Sequence, residues 1–160
     1  MGVSGCGKST VAGILAGRLG WPFEEGDALH PQSNIAKMAS GQPLTDTDRR
    51  RWLETIAEWI AELLDAEQNG LITCSALKRS YRDVINRRGS GVVFVFLDGS
   101  KAMVAPRLAG RQGHFMPSSL LDSQFADLED PQPDEQHIRV DIGPPPDEIA
   151  EIIVRELGLA

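Results

Sequence analysis

The stretch of sequence that decides the fold lies near the amino end and reads Gly2-Val3-Ser4-Gly5-Cys6-Gly7-Lys8-Ser9-Thr10. Gly2, Gly7, Lys8 and Ser9 fit the pattern G-x-x-x-x-G-K-[ST] in full. Glycines at these positions let the backbone curl so that its N–H groups face anionic oxygens. Lys8 then reaches the β- and γ-phosphates of a nucleotide, and the Ser9 hydroxyl holds Mg²⁺. We therefore predict that residues 2–10 bind a nucleoside triphosphate together with Mg²⁺.

A glycine-rich turn that matches by chance is the alternative explanation of this pattern. From average residue usage, a chain of 160 residues matches by accident roughly one time in a few hundred. An apolar helical pattern also starts at the required place, with Val11, Ile14, Leu15 and Leu19 at helical spacing. Such a helix directs its positive N-terminal end at bound phosphate. The two observations together favour the nucleotide site.

The rest of the chain alternates between predicted strands and predicted helices. Short apolar stretches predict strands at residues 21–25, 71–74, 92–97 and 138–142. Apolar periodicity and capping residues predict helices at 11–19, 31–40, 45–69, 78–88, 100–110, 119–128 and 146–157. This alternation predicts one α/β domain over residues 1–160, with a parallel sheet, right-handed crossovers and helices on both faces.

One expected element has no residues in this sequence. A phosphate loop of this kind follows a buried strand, and Met1 leaves no room for one. That strand normally lies inside the sheet, so two neighbouring strands would lose their hydrogen-bonding partner. We therefore expect the native protein to start upstream, with Met1 at the end of the missing first strand.

Charge and cysteine content limit the classes of partner. The chain has 16 basic and 23 acidic residues and a net charge of -7, whereas general nucleic-acid binders carry the opposite excess. No apolar run approaches the ~20 residues of a membrane span. Cys6 and Cys74 are the only cysteines, too few for a disulfide framework and without metal-ligand spacing. These observations predict a cytoplasmic protein without a nucleic-acid or membrane partner.

Several longer strings make the class more specific. They are Gly26-Asp27-Ala28-Leu29-His30-Pro31, residues 34–46, Asp48-Arg49, Trp52-Leu53, residues 74–83, Arg111-Gln112-Gly113-His114-Phe115, Ser123-Gln124-Phe125 and Leu128-Glu129. In this order they resemble the bacterial gluconokinase family over residues 2 to about 142. The resemblance implies ATP-dependent phosphorylation of D-gluconate to 6-phosphogluconate. It also implies a P-loop fold like that of nucleoside monophosphate kinases and shikimate kinase, with a mobile helical lid at about 107–128 and commonly a homodimer.

Four residues outside the loop are candidates for the acceptor site. Asp27 follows a predicted strand at its carboxyl end, where α/β sheets bind ligands. It would orient or deprotonate the 6-hydroxyl of gluconate, or help to hold Mg²⁺ through water; the alternative is a turn or helix-cap carboxylate. His30 would hydrogen-bond a substrate hydroxyl or simply cap the next helix. Arg82 is the first choice for the gluconate carboxylate and Lys78 the next, against the alternative of a solvated basic helix face.

The predicted lid carries three further candidates. Arg107 and Arg111 are four residues apart and so share one helix face. Arg107 would contact the nucleotide, and Arg111 would neutralise charge on the transferred group. His114 would contact gluconate or anchor the lid, and an ordinary surface helix is the alternative for all three. Arg49 matches the resemblance but lies in the basic run 49–51, which by default is a solvated face.

Two other functions stay open at this point. One is a different small-metabolite or nucleotide kinase, such as a shikimate kinase. The other is a truncated, non-catalytic nucleotide-binding module.

Overall fold

The computed structural model describes residues 1–110 and 118–159. The strands are β1 Phe23–Glu25, β2 Leu71–Thr73, β3 Phe94–Asp98 and β4 His137–Asp141. The helices are α1 Lys8–Leu19, α2 Gln32–Ala39, α3 Asp46–Asp65, α4 Arg79–Ile85, α5 Lys101–Ala109, α6 Ser118–Asp127 and α7 Pro146–Glu156. A 3₁₀ turn, Gly26–Leu29, connects β1 towards α2.

The strands pair in parallel, as the alternation of elements predicted. β1 pairs with β2, and Phe23 lies opposite Leu71. β3 pairs with β4, and Phe94 lies opposite His137. The predicted α/β fold with a parallel sheet is confirmed.

Helices cover the strands on both faces. On one face, α1 packs against α7, and Leu15 and Ile153 belong to one buried cluster. On the other face, α3 packs against α4, and Trp52 and Ile85 belong to a second cluster. Successive residues of a strand point to opposite faces, and accordingly Phe94 joins the second cluster while Val95 packs on the first.

The predicted cap of the longest helix is present. The Thr45 hydroxyl accepts a hydrogen bond from the Asp48 amide at 3.2 Å, and the Asp48 carboxylate accepts one from the Thr45 amide at 2.8 Å. This reciprocal capping box satisfies backbone groups that the start of a helix leaves unpaired. It fixes the residue at which α3 begins.

A cavity of about 390 Å³ lies between β2 and β3. It is lined mainly by apolar side chains, among them Leu15, Ile56, Ile72 and Ile153. Within the described residues no strand pairs with both β2 and β3. The cavity therefore occupies the position at which the sequence leads us to expect a further strand.

Met1 and Gly2 connect the two halves of the sheet at one end of this cavity. The Met1 nitrogen donates to the Val95 carbonyl, and the Met1 carbonyl accepts from the Leu97 amide at 3.0 Å. This is the hydrogen-bond pattern of a residue paired in parallel with the one between Val95 and Leu97. On the other side, the Gly2 amide donates to the Ser75 carbonyl at 3.1 Å. Two residues thus bridge β3 to the segment after β2.

An apolar extension fused in front of Met1 should stabilise the protein. About four valine and isoleucine residues would continue the Met1 pairing into the cavity, where both faces of a strand are covered. We expect a gain of about 2 kcal/mol in the free energy of unfolding, or about 4–8 °C in Tm. Thermal unfolding followed by circular dichroism measures it. An extension of equal length made of glycine and serine is the control, and equal Tm values for the two fusions would contradict the assignment of the cavity.

Candidate active site

The phosphate loop is built on glycines with positive φ. Gly2, Gly5 and Gly7 have φ values of 138°, 82° and 98°, in or near the region that side chains avoid. A Cβ on Gly5 would lie 2.7 Å from Cγ of Leu108, on α5, and a Cβ on Gly2 would lie 2.8 Å from the Leu97 carbonyl oxygen. The loop therefore depends on glycine both for its turns and for its close packing on β3 and α5.

Lys8 lies at the start of α1 and folds back over this loop. Its ammonium donates to the carbonyls of Gly2 at 2.9 Å and Val3 at 3.0 Å. The first amides of α1 have no partner inside the helix, and Gly7 precedes them without a side-chain cap. The loop thus presents one ammonium and a group of unpaired amides, which is the chemistry that binds phosphate.

Asp27 lies on a turn that is held rigidly in place. The Trp52 indole N–H donates to the Gly26 carbonyl at 2.7 Å. The Thr73 hydroxyl accepts from the Gly26 amide at 3.3 Å and donates to the Glu25 carboxylate at 2.6 Å. The Asp27 side chain itself is 64% exposed. A fixed backbone therefore presents an accessible carboxylate just after β1.

His30 lies beneath that carboxylate and is neutral near pH 7. Its ring stacks on Trp52 with 4.0 Å between ring centroids. Burial, with a smaller contribution from the charge of Arg49, lowers the pKa of His30 to about 4 against the opposing effect of the Asp27 charge. The Asn34 amide nitrogen contacts Nδ1 at 3.3 Å and donates to a backbone carbonyl. Since that nitrogen only donates, Nδ1 accepts, and the ring proton is on Nε2, 3.9 Å from Asp27.

Asp27 and the phosphate loop lie at the same end of the sheet. The Gly2 amide donates to the carbonyl of Ser75, two residues after β2, and the Gly2 carbonyl accepts from the Lys8 ammonium. Asp27 follows β1, whose last residue Glu25 lies opposite Thr73 at the end of β2. The carboxylate and the ammonium are therefore both close to the carboxyl end of β2, where parallel sheets bind ligands.

Arg49 lies at the acceptor side and is largely buried, contrary to the solvated face expected for the basic run. Its side chain is 10% exposed. Nη1 donates to the Leu44 carbonyl at 2.8 Å and to the Tyr81 hydroxyl at 3.0 Å, and it lies 3.7 Å from the Asp127 carboxylate. All of these contacts within the described residues use Nη1, which leaves Nε and Nη2 able to bind a ligand.

Lys78 lies beside Arg49, directly before α4. Its ammonium donates to Asp46 at 3.1 Å and lies 3.6 Å from Asp127. The hydrogen bond to Asp46 raises the pKa of Lys78, and the Tyr81 hydroxyl donates to the same carboxylate. The structure therefore joins Lys78 and Arg49 in one cation cluster, next to the Asp27–His30 pair.

Arg82, the first choice for a substrate carboxylate, has a different environment. It is 1% exposed, and its Nε and Nη2 donate to the Glu135 carboxylate at 2.5 and 3.1 Å. Nη1 donates to the carbonyls of Ala76, Leu77 and Glu129 at 3.0–3.1 Å. Since every nitrogen of the guanidinium is bound within the protein, Arg82 is a structural residue here and the sequence interpretation of it is corrected.

The predicted lid lies only partly in the described residues. Arg107, on α5, donates from Nη2 to the Ile142 carbonyl at 2.9 Å. Arg111 and His114 lie outside the described residues, so their roles stay predictions.

Gln124 is a site residue whose role the sequence did not indicate. It lies on α6; its amide oxygen accepts from the Ser4 amide at 2.7 Å, and its amide nitrogen contacts the Ser4 hydroxyl at 3.2 Å. The string that contains it was part of the family resemblance, but nothing in its spacing indicated a contact with residue 4.

Neither a metal-binding cluster nor a membrane-spanning helix is present in the described residues. Residues 1–110 and 118–159 contain no group of three or more histidine, cysteine, aspartate or glutamate side chains arranged to hold a metal ion. No helix in this part of the chain has the length and apolarity that crossing a membrane requires.

The fold and the site define a class of protein. A glycine-built phosphate loop that leads into a helix, beside a parallel sheet with an acid after its first strand, is typical of P-loop kinases that act on small molecules. In agreement, a family model described as shikimate kinase matches residues 4–156.

Comparison with individual proteins narrows this class. Gluconokinase from Gluconobacter oxydans (strain 621H) is 52% identical over 155 residues, which cover 97% of this chain and 87% of the relative. The structure of a gluconokinase from Sinorhizobium meliloti 1021 superposes with a TM-score of 0.89 at 48% identity, covering 99% of this chain and 89% of the other. A sugar kinase from Janibacter sp. HTCC2649 gives 0.93 at 48% identity, covering 100% and 92%. The chain belongs to the gluconokinase family.

Replacing His30 should reduce the loss of stability in acid. The folded protein takes up the His30 proton only near pH 4, whereas the unfolded chain takes it up near pH 6.5. The unfolded state therefore binds more protons between these values, and His30 makes stability fall as pH falls, by up to about 3 kcal/mol in all. Stability in urea at pH 7.5, 5.5 and 4.5 measures this. We expect a shallower acid decline for His30→Gln, and an unchanged slope would contradict the buried neutral state.

Proposed function

We propose that the protein transfers the γ-phosphoryl group of ATP to the 6-hydroxyl of D-gluconate, which yields ADP and 6-phospho-D-gluconate. The observation that carries this is the placement of the candidate groups around the ends of β1 and β2. The Gly2 amide joins the Lys8 loop to Ser75 after β2, Asp27 follows the paired strand β1, and Asn34 links His30 to the carbonyl of Asp48, next to Arg49. A phosphoryl donor, an acid next to the acceptor hydroxyl and a carboxylate-binding cation are the three parts that this reaction needs. The identity of 52% to a gluconokinase supports the choice of acceptor.

The loop fits a nucleotide with its magnesium ion. Its lysine ammonium donates to the Gly2 and Val3 carbonyls and lies 4.0 Å from the Cys6 sulfur, contacts that phosphate oxygens would replace. The Ser9 hydroxyl would hold Mg²⁺, with Asp27 assisting through water. When bound, the ion would neutralise part of the charge on the phosphate groups.

Asp27 acts on the acceptor hydroxyl. The 6-hydroxyl oxygen forms a bond to the γ-phosphorus while the bond from phosphorus to the ADP oxygen breaks, and the hydroxyl proton passes to the Asp27 carboxylate. The Nε2–H group of His30 faces that carboxylate and orients it. His30 therefore positions Asp27 and does not contribute a positive charge to the site.

Arg49 and Lys78 bind the carboxylate of gluconate. Nε and Nη2 of Arg49, which make no hydrogen bond within residues 1–110 and 118–159, form the planar fork that suits a carboxylate. Asp127 approaches both cations only at 3.6–3.7 Å, outside hydrogen-bond range, so a ligand carboxylate at shorter distance would be favoured over it. Arg107, Arg111 and His114 remain lid candidates around the transferred group. The homodimer and the cytoplasmic location likewise stay predictions.

Removing the charge of Asp27 should abolish most of the turnover. We expect Asp27→Asn to lower kcat by about 100- to 1000-fold, because proton transfer to the carboxylate is lost, while nucleotide affinity is nearly unchanged. ADP release coupled to NADH oxidation measures the rate, and Glu148→Gln on the surface of α7 is the control. Normal turnover by the Asn variant would remove Asp27 from the mechanism.

The same assay tests the choice of acceptor. D-gluconate, shikimate and nucleoside monophosphates are compared with the wild-type protein at equal concentration. Gluconate should have the highest kcat/KM by far. Faster turnover of shikimate than of gluconate would indicate a shikimate kinase. Nucleotide binding without phosphorylation of any acceptor would indicate a non-catalytic nucleotide-binding protein.

Arg49 and Arg82 should respond differently to truncation. Arg49→Ala should raise the KM for gluconate about 10- to 100-fold and leave the KM for ATP nearly unchanged, since a charge-assisted bidentate contact is lost. The exposed neighbour Arg50 provides the control Arg50→Ala. Arg82→Ala should instead unfold the protein at lower temperature. It removes the two-point ion pair of the largely buried Glu135 carboxylate, which within the described residues keeps only the Gln132 amide and Arg79 at 3.6 Å. A gluconate KM that stays normal in folded Arg49→Ala would exclude the proposed carboxylate site.

A further inference from the structure

Tyr81 lies against both cations of the acceptor side. It belongs to α4 and is buried, with only 3% of its surface exposed. The guanidinium carbon of Arg49 lies 5.3 Å from the centre of the Tyr81 ring, and the Lys78 nitrogen lies 5.6 Å from it. At these distances the face of an aromatic ring attracts a positive charge. Tyr81 is therefore packed against the two groups to which we assign the acceptor carboxylate.

The Tyr81 hydroxyl joins the same two cations through hydrogen bonds. It accepts from Nη1 of Arg49 at 3.0 Å and donates to Oδ1 of Asp46. The Lys78 ammonium donates to the same Asp46 oxygen at 3.1 Å. A phenol has one proton, and because Asp46 accepts it, the hydroxyl oxygen is left to accept from Arg49. Burial and the hydrogen bond to Asp46 raise the pKa of Tyr81, so this proton stays in place at neutral pH.

The hydroxyl restricts the orientation of Arg49. Nη1 donates both to it and to the Leu44 carbonyl, the latter at 2.8 Å. Because a guanidinium is planar, two acceptors on one terminal nitrogen limit the rotation of the whole group. Nε and Nη2, which make no hydrogen bond within residues 1–110 and 118–159, are thereby held in one direction. A bidentate contact to a carboxylate depends on that direction.

A purely structural role is the alternative. Helices α3 and α4 pack against each other, and the Tyr81 hydroxyl attaches α4 to Asp46, the first residue of α3. Loss of such an attachment would lower stability and would change all kinetic constants together. The hydroxyl instead lies between Arg49 and an acid that is held by Lys78, which favours an effect confined to the acceptor.

We propose that the Tyr81 hydroxyl is a positioning group for acceptor binding: held by Asp46, it orients Arg49 so that Nε and Nη2 meet the acceptor carboxylate. Tyr81 does not touch the reacting atoms and acts through Arg49. It therefore contributes to the selection of an acceptor that carries a carboxylate. This inference rests on the proposed function, since it takes Arg49 as the ligand of the gluconate carboxylate.

Tyr81→Phe removes only the hydroxyl and keeps the ring against both cations. We expect the KM for D-gluconate to rise about 5- to 20-fold, because the guanidinium loses an orienting partner. The kcat and the KM for ATP should stay within about 2-fold of wild type, and Tm should fall by less than about 5 °C. Coupled ADP release and circular dichroism measure these quantities. Ser80→Ala, which removes an exposed hydroxyl from the adjacent position of α4, is the control and should match the wild type.

A double variant tests whether Tyr81 acts through Arg49. In an Arg49→Ala background, Tyr81→Phe should change the KM for gluconate by less than about 2-fold, because the residue that it orients is no longer present. A hydroxyl that bound gluconate directly, or that only attached α4 to α3, would have the same effect in both backgrounds.

Asp46→Ala provides an independent test with an expected sign. It leaves the hydroxyl in place but removes its acceptor, so we expect the KM for gluconate to rise about 3- to 10-fold. Charge alone predicts the opposite, because loss of an acid beside Arg49 and Lys78 would favour an anionic acceptor. Since Asp46 is exposed, this variant keeps the test decisive even if Tyr81→Phe does not fold.

Four outcomes would overturn the inference and leave gluconate phosphorylation standing. They are a normal gluconate KM for Tyr81→Phe, an equal rise in the KM values for gluconate and ATP, a full effect in the Arg49→Ala background, and a fall in KM for Asp46→Ala. A normal gluconate KM for Arg49→Ala removes the carboxylate site and the inference together. A wild-type protein that does not phosphorylate gluconate removes the proposed function as well.

Discussion

The whole site depends on the hydrogen bonds that attach the start of the phosphate loop to both pairs of strands. Leu97 donates its amide to Met1 on one side, and Gly2 donates its amide to Ser75 on the other. The loop that follows packs so closely on α5 that Gly5 has no room for a side chain. Because the same few residues join the halves of the sheet and carry the anion site, stability and ligand binding cannot be altered independently in this region.

Local placement of cations resolves the conflict between a net charge of -7 and two anionic ligands. Lys8 faces the loop, and Arg49 and Lys78 form the cluster at the acceptor side. Backbone carbonyls hold Lys8 in place. Asp46 and Asp127 lie beside Lys78, and Asp127 lies beside Arg49, without satisfying all donors of these two residues. Exposed charges beyond about 8 Å are largely screened at physiological ionic strength, so the acidic exterior has little effect on binding.

Features that depend on local sequence pattern could be predicted from the sequence. The partners of individual side chains, which depend on tertiary packing, could not. The loop motif, the order of strands and helices and the Thr45 cap follow from spacing and residue type, and all were found. Helix α4 proved shorter than predicted, ending at Ile85. Arg82 was interpreted as a ligand for the substrate carboxylate because it follows the end of a predicted strand, and only the three-dimensional structure shows that Glu135 occupies its guanidinium. Arg49 was expected on a solvated face, whereas its side chain is only 10% exposed. The contact between Gln124 and Ser4 spans 120 residues, a distance over which spacing carries no information.

Cys74, in the cavity between β2 and β3, can report on opening of the sheet. Cys74 lines this cavity, and burial raises the pKa of its thiol to about 12, so almost none of the reactive thiolate exists at neutral pH. Alkylating reagents can modify it only when the two halves of the sheet separate enough to admit solvent. The rate at which Cys74 is alkylated therefore measures how often the two halves of the sheet separate, and the measurement needs no added probe.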